Sequence, residues 1–174
     1  MNHQMSKNER RQARVLALQV FFCYEQQGFE NSIEDVFERV VSLSDVDIEM
    51  EENAIRGGDQ DEIDSIAQIV ADSPSALGEN VKNYAFEIVK FAAKNIKETD
   101  AALSKYVQSW AFERMSAMDR NLLRIAVSEL NEKFAVPSAV VINEAIEIAK
   151  IFGTDDSAKF INAVLDKVKK EKFS

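Results

Sequence analysis

Arg10, Arg11 and Arg14 lie near the start of the chain; Lys159 and Phe160 lie near its end, just past Asp155 and Asp156. On a helix, at roughly 100° per residue, the three arginines fall within an arc of about 100°. Guanidiniums that close repel one another unless an anion sits among them. That anion is either a phosphate or a set of carboxylates, such as Glu9 or the acids of residues 30–64. A phenylalanine beside a lysine is one way to hold single-stranded RNA, with a base stacked on the ring and a phosphate on the cation. The same pair is also what the edge of an ordinary core looks like.

Little else in the chain has the makings of an active site. There is one histidine, His3, and one cysteine, Cys23. These two cannot build a Cys/His zinc site, and His3 lies too near the terminus to serve a catalytic triad. Cys23 falls in the apolar run Val20–Tyr24 and reads as a small buried hydrophobe. Glu144 and Glu147 have the three-residue spacing of bundle metal ligands, but no Glu-x-x-His accompanies them. A solvated face with Glu147 beside Lys150 is the expectation there. Gly57-Gly58 lacks the Gly-x-x-x-x-Gly-Lys pattern of a phosphate loop. Asp155 and Asp156 suit the start of a helix, where carboxylates favour the positive end, better than a metal site. The reading is a protein with no catalytic residue, no metal and no cofactor.

The elements that must position these residues are all helical. Only 5 Gly and 2 Pro occur in 174 residues, too few for the turns of a strand-rich fold. Ser6-x-x-Glu9 is a capping-box pattern that opens a helix running to about Gln27 and stopping at Gly28. A second helix fits residues 32–43. Residues 44–78 are broken by Gly57-Gly58 and Pro74, with a short helix expected at 61–71. Val81, Ala85, Ile88, Ala92 and Ile96 recur at helical steps and predict a long helix over 79–97. Another is expected from Thr99 to Trp110. Ser116 caps the next, and Pro137 opens the one after it, which ends at Gly153. The last carries Ile161, Val164, Leu165 and Val168 as its buried stripe. Phe160 sits roughly 90° from the centre of that stripe, at the rim of the core, and Lys159 lies farther round. About seven helices are expected in one compact all-α domain of two packed sub-bundles, residues 6–105 and 106–172.

Charge is unevenly spread. The net charge is −9, yet residues 30–64 hold thirteen acids against Arg39 and Arg56. The remainder of the chain is therefore slightly basic, with net +3 in residues 1–14 and again in residues 159–172. An acidic total does not exclude a nucleic-acid partner; it requires that the basic surface be local. No apolar stretch is long enough for a membrane-spanning helix, and the N-terminus has no hydrophobic signal core, so a cytoplasmic protein is expected.

Three stretches, "RRQARVLALQVFF", "SWAFERMSAMDRNLLRIAVSEL" and "VPSAVVINEAIEIAKIFGTDDSAKFINAVLD", stand in this order along the chain. Together they resemble the NusB family of bacterial transcription antitermination factors. The resemblance implies a non-catalytic adaptor that binds the boxA element of nascent RNA together with NusE, a small-subunit ribosomal protein. It implies indirect contact with other Nus factors and RNA polymerase, and self-association in some members. It places Arg10, Arg11 and Arg14 at the RNA, with Asp156, Lys159 and Phe160 from the start of the last helix. It assigns Glu113 and Asp119 to the NusE contact.

Two departures stand out. Asn162-Ala163 replaces the family's common Asn-Gly, and the acidic segment of residues 30–78 is longer than usual: it reads as a solvated insertion, either far from the RNA face or competing with RNA for the arginines as an electrostatic brake. A NusB-like domain also precedes the catalytic domain of some ribosomal RNA cytosine methyltransferases. That alternative needs a following cofactor domain and a catalytic cysteine, whereas this chain ends at Ser174 with its cysteine in the first helix. A helical protein-interaction module without RNA binding is the third reading.

Overall fold

The computed structural model describes residues 5–42, 74–107 and 112–172. Among them are seven α-helices and no strand: α1 (Lys7–Gln26), α2 (Ile33–Ser42), α3 (Glu79–Lys94), α4 (Ile96–Tyr106), α5 (Ala117–Glu129), α6 (Ser138–Phe152) and α7 (Ser157–Lys172). Single 3-10 turns lie at Pro74–Ala76, Phe112–Arg114 and Glu132–Phe134. No helix among the described residues is long and apolar enough to cross a membrane. The core of the acidic segment, with Gly57-Gly58 and the helix expected at 61–71, lies outside the described residues, as does His3.

The chain forms two compact units, residues 1–89 and 90–174. In the first, the capping box at the start of α1 is complete. The Glu9 amide donates to Ser6 Oγ at 3.2 Å, and the Ser6 amide donates to Glu9 Oε2 at 2.7 Å. Every residue from Leu16 to Phe22 is buried, so α1 is wrapped rather than one-sided. It ends at Gly28 (φ 65°) and Phe29 (φ 61°), two consecutive left-handed residues. Glycine takes that conformation freely. Phe29 is held there by the Tyr24 ring, whose centroid lies 4.9 Å away, edge to face. α2 packs on α1 through Val36 and Val40, and its Phe37 meets Phe86 of α3 at 4.9 Å.

The second unit is built on α5. α6 and α7 form an antiparallel pair against it, and α4 packs on both α5 and α7. This packing carries α4 into the second unit. The long helix expected over 79–97 breaks at Asn95. Its side chain donates to the Phe91 carbonyl at 2.7 Å, a local bond that competes with helix continuation, and a new helix starts at Ile96.

Inside this unit Arg124 is 4% exposed. Its guanidinium grips Asp100 of α4 with two bonds, Nε to Oδ1 at 2.8 Å and Nη2 to Oδ2 at 2.7 Å. Nη1 donates to Asn121 at 2.8 Å, and the Phe112 ring lies 5.5 Å from the guanidinium carbon. A charge so far from water is tolerated because this bidentate fork satisfies it. Asp100→Ala would remove the carboxylate that takes two of its bonds. Because Asp100 retains 28% exposure, the expected loss is about 2–4 kcal/mol, below the full cost of breaking a buried pair. Chemical denaturation checks this; a loss under about 1 kcal/mol would show that Arg124 finds water or another acceptor.

Candidate nucleic-acid interface

The turn between α6 and α7 is set by a close approach. The backbone of Gly153 is extended (φ −98°, ψ −179°), which any residue can adopt. Space is what demands glycine. A Cβ there would lie 2.5 Å from Ser157 Cβ, 2.6 Å from the Ala149 carbonyl oxygen and 2.7 Å from Met118 Cε. The turn is thus pressed against the start of α5.

Hydrogen bonds fix the rest of it. The Thr154 amide donates to Ser157 Oγ at 3.0 Å, and the two hydroxyls lie 3.1 Å apart. The Phe160 amide donates to the Asp156 carbonyl at 3.0 Å, so helical bonding begins at Asp156. Ser157 is 2% exposed. Its hydroxyl and that of Ser116, the N-cap of α5, both hydrogen-bond to the Asp119 carboxylate. Burial nevertheless raises the Asp119 carboxyl above its ordinary value of 3.8, the two hydroxyls pulling the other way. Asp119 Oδ1 is buried without a hydrogen-bond partner. The carboxylate is tolerated because it lies in the first turn of α5, at the positive end of that helix.

Asp156, Lys159 and Phe160 come together in the first turn of α7. Asp156 and Lys159 are 93% and 86% exposed and 4.0 Å apart, a loose surface pair that leaves the ammonium available to another anion. Phe160 is half-buried, beside the fully buried Ile161, at the rim position the helical wheel predicts. In the other unit, Arg10 and Arg11 are half-buried at the start of α1. Arg14 does not join them at the surface; it is 3% exposed. Its angle on the wheel lies between theirs, but it sits a turn deeper, where α1 enters its wrapped stretch.

Other residues singled out from the sequence are placed differently from one another. Glu113 lies in the Phe112–Arg114 turn, with its side chain outside the described residues. Cys23 is half-buried rather than core. Glu147 pairs with Lys150 at 2.7 Å as expected, whereas Glu144, expected on the same solvated face, is 2% exposed. Among the described residues no three His, Cys, Asp or Glu side chains are grouped to hold a metal. Sequence reading missed the buried Ser157 and its bond to Asp119. The Ser116-x-x-Asp119 cap was visible, but nothing local says that a serine 38 positions after Asp119 packs against it.

The sequence pattern that defines the NusB family matches residues 43–170. The chain is 31% identical over 157 residues to a transcription antitermination protein NusB from Chloroherpeton thalassium, an alignment that takes in 90% of this chain and 59% of that one. The chain thus spans about three fifths of that relative's length. Among solved structures it resembles the Thermotoga maritima NusB, with a TM-score of 0.63 at 29% identity over 93% of this chain and 91% of that one. It also has the fold of a chain in a structure of the antitermination factors NusB and NusE in complex with double-stranded RNA. There the TM-score is 0.67 at 22% identity, covering 95% of this chain and 99% of that one.

Two measurements check the turn. Gly153→Ala should cost about 2 kcal/mol or more, since two of the three clashing atoms belong to backbone or a short side chain that cannot swing aside. An unchanged melting temperature would mean that the α6–α7 turn is looser than described. For Asp119 the folded value lies above the unfolded one. Its contribution to stability is therefore full below the ordinary carboxylate range and lost as pH rises through the raised value. Asp119→Asn, which cannot ionise, should gain on the wild type as pH rises from about 4 toward neutrality. Parallel stability–pH curves would show that the carboxyl is solvated.

Proposed function

The chain belongs to the NusB family, and from that premise we propose that it is an RNA-binding transcription antitermination factor. It holds the boxA element of nascent RNA jointly with NusE and supports transcription of ribosomal RNA operons from the cytoplasm. Other Nus factors and RNA polymerase are engaged indirectly. The observation that carries the RNA-binding reading is the first turn of α7, where a half-buried ring and an exposed cation stand on a turn pinned by Gly153 and Ser157.

The chemistry required is recognition, not catalysis. Phe160 offers a base one ring face while its other side stays in the core, so stacking costs little conformational entropy. Lys159 neutralises a neighbouring phosphate. Asp156 repels phosphates but accepts hydrogen bonds from base amino groups, so it sets register rather than adding affinity. Arg10 and Arg11 supply further phosphate contacts from the start of α1, and Arg14 supports that turn from within. Asp119, at the start of α5, and Glu113, in the turn before it, serve the NusE contact. Two partial RNA surfaces joined in one heterodimer bind more tightly than either alone.

Phe160→Ala should weaken boxA binding about tenfold, the worth of one stacked base, with little change in melting temperature. Loss of the fold instead would make Phe160 a core residue. Changing Arg10 and Arg11 to alanine should lower the slope of log affinity against log salt by roughly 0.7 per lost phosphate contact. An unchanged slope would remove both arginines from the RNA.

A further inference from the structure

At the opposite end of α5 from the α7 turn, a second group of rings and cations stands at the surface. Phe91, near the end of α3, and Phe134, in the turn after α5, meet edge to face with centroids 5.6 Å apart and planes at 86°. Both are half-buried. The exposed Lys133 ammonium lies 5.8 Å from the Phe91 centroid and 5.5 Å from that of Phe134. Lys90 and Lys94, one helical turn apart and both exposed, flank Phe91. Residues 90–97 and 131–134 together carry four lysines against Glu132 alone, in a chain of net charge −9.

The geometry is held in place. The Phe134 and Lys133 amides both bond to Asn131, at 3.0 Å to its carbonyl and 3.1 Å to its side-chain oxygen. Ala135 is kept at φ 49°, a conformation unfavourable for alanine that turns the chain sharply after Phe134.

We propose that Phe91, Phe134 and Lys133 form a second stacking platform, which takes single-stranded RNA flanking the stretch bound at the α7 turn. Rings alone would suit many apolar partners, and lysines alone would suit any acid. Half-exposed rings with lysines interleaved suit a ligand that carries flat rings and negative charge along one strand. In the free protein Lys133 covers the rings by a cation–π contact, which is weak at an exposed site, so an incoming base can displace the ammonium onto its own phosphate. The 13 residues of α5 put this platform roughly 20 Å from the α7 turn, a span that a few further nucleotides can cross. The proposal rests on the RNA-binding reading above.

The test compares a minimal boxA RNA with RNAs extended by several unpaired nucleotides at either end, using the full chain and fluorescence anisotropy. The wild type should bind one extended RNA about tenfold more tightly than the minimal one, the equivalent of one added stack. Lys133→Glu, a surface change, and Phe134→Leu, which keeps an apolar side chain in the core, should lose that gain and bind minimal boxA as the wild type does. Phe160→Ala should weaken both RNAs. If Lys133→Glu keeps the full gain, or the wild type shows none, the platform does not bind RNA. If poly-glutamate competes for the gain as well as poly-uridine does, the surface is an acidic-protein site and the proposal fails. If the wild type binds neither RNA, the RNA-binding reading itself falls, and the platform with it.

Discussion

A missing side chain at Gly153 decides where the last helix begins. A Cβ there would lie within 2.7 Å of Met118 Cε, Ser157 Cβ and the Ala149 carbonyl oxygen. Even a methyl group at Gly153 would force its neighbours to shift. Everything at the α7 end of the molecule follows from that closeness. Ser157 is forced into the interior, where it has to satisfy its hydroxyl, and it does so on Thr154 and Asp119. Its burial leaves Asp156 and Lys159 facing solvent and puts Phe160 on the boundary between them and the core. The half-buried ring is therefore a consequence of packing.

Electrostatics works on the same local scale. A chain with net charge −9 is a poor polyanion binder on average. Interactions between exposed charges fade beyond about 8–10 Å at ordinary salt, so an RNA strand samples the cations beside it rather than the total. Lys159 at the start of α7 and Arg10 and Arg11 at the start of α1 each lie in a short stretch of positive balance. Arg124, buried deep in the second unit, is engaged by Asp100 and Asn121 and so serves the fold. Arg14 is buried as well: three arginines close in sequence are not equally exposed, because depth along the helix as well as angle sets what each can touch.

Much of this was legible in the sequence because it depends on local chemistry. The capping box at Ser6, the cap at Ser116 and the rim position of Phe160 follow from rules that act within one helical turn, and each is present. What was not legible depends on contacts between distant stretches. A helical wheel gives the angle of Arg14 but not its depth along the axis. Nothing around Glu144 marks it as buried, since its burial depends on packing against other helices. The break at Asn95 turned on a single amide choosing the Phe91 carbonyl over solvent, against a hydrophobic pattern that ran straight through it. Ser157 lay in plain view in a turn motif, and only the tertiary approach at Gly153 gives it a partner.

The proposed function depends on contact between RNA and the first turn of α7. It is tested most directly by photocrosslinking boxA RNA carrying 4-thiouridine to the full chain and mapping the modified peptides by mass spectrometry. Modification is expected at Lys159–Phe160, lost in excess unlabelled boxA RNA. Efficient cross-linking confined to other parts of the chain, with this turn unmodified, would contradict it.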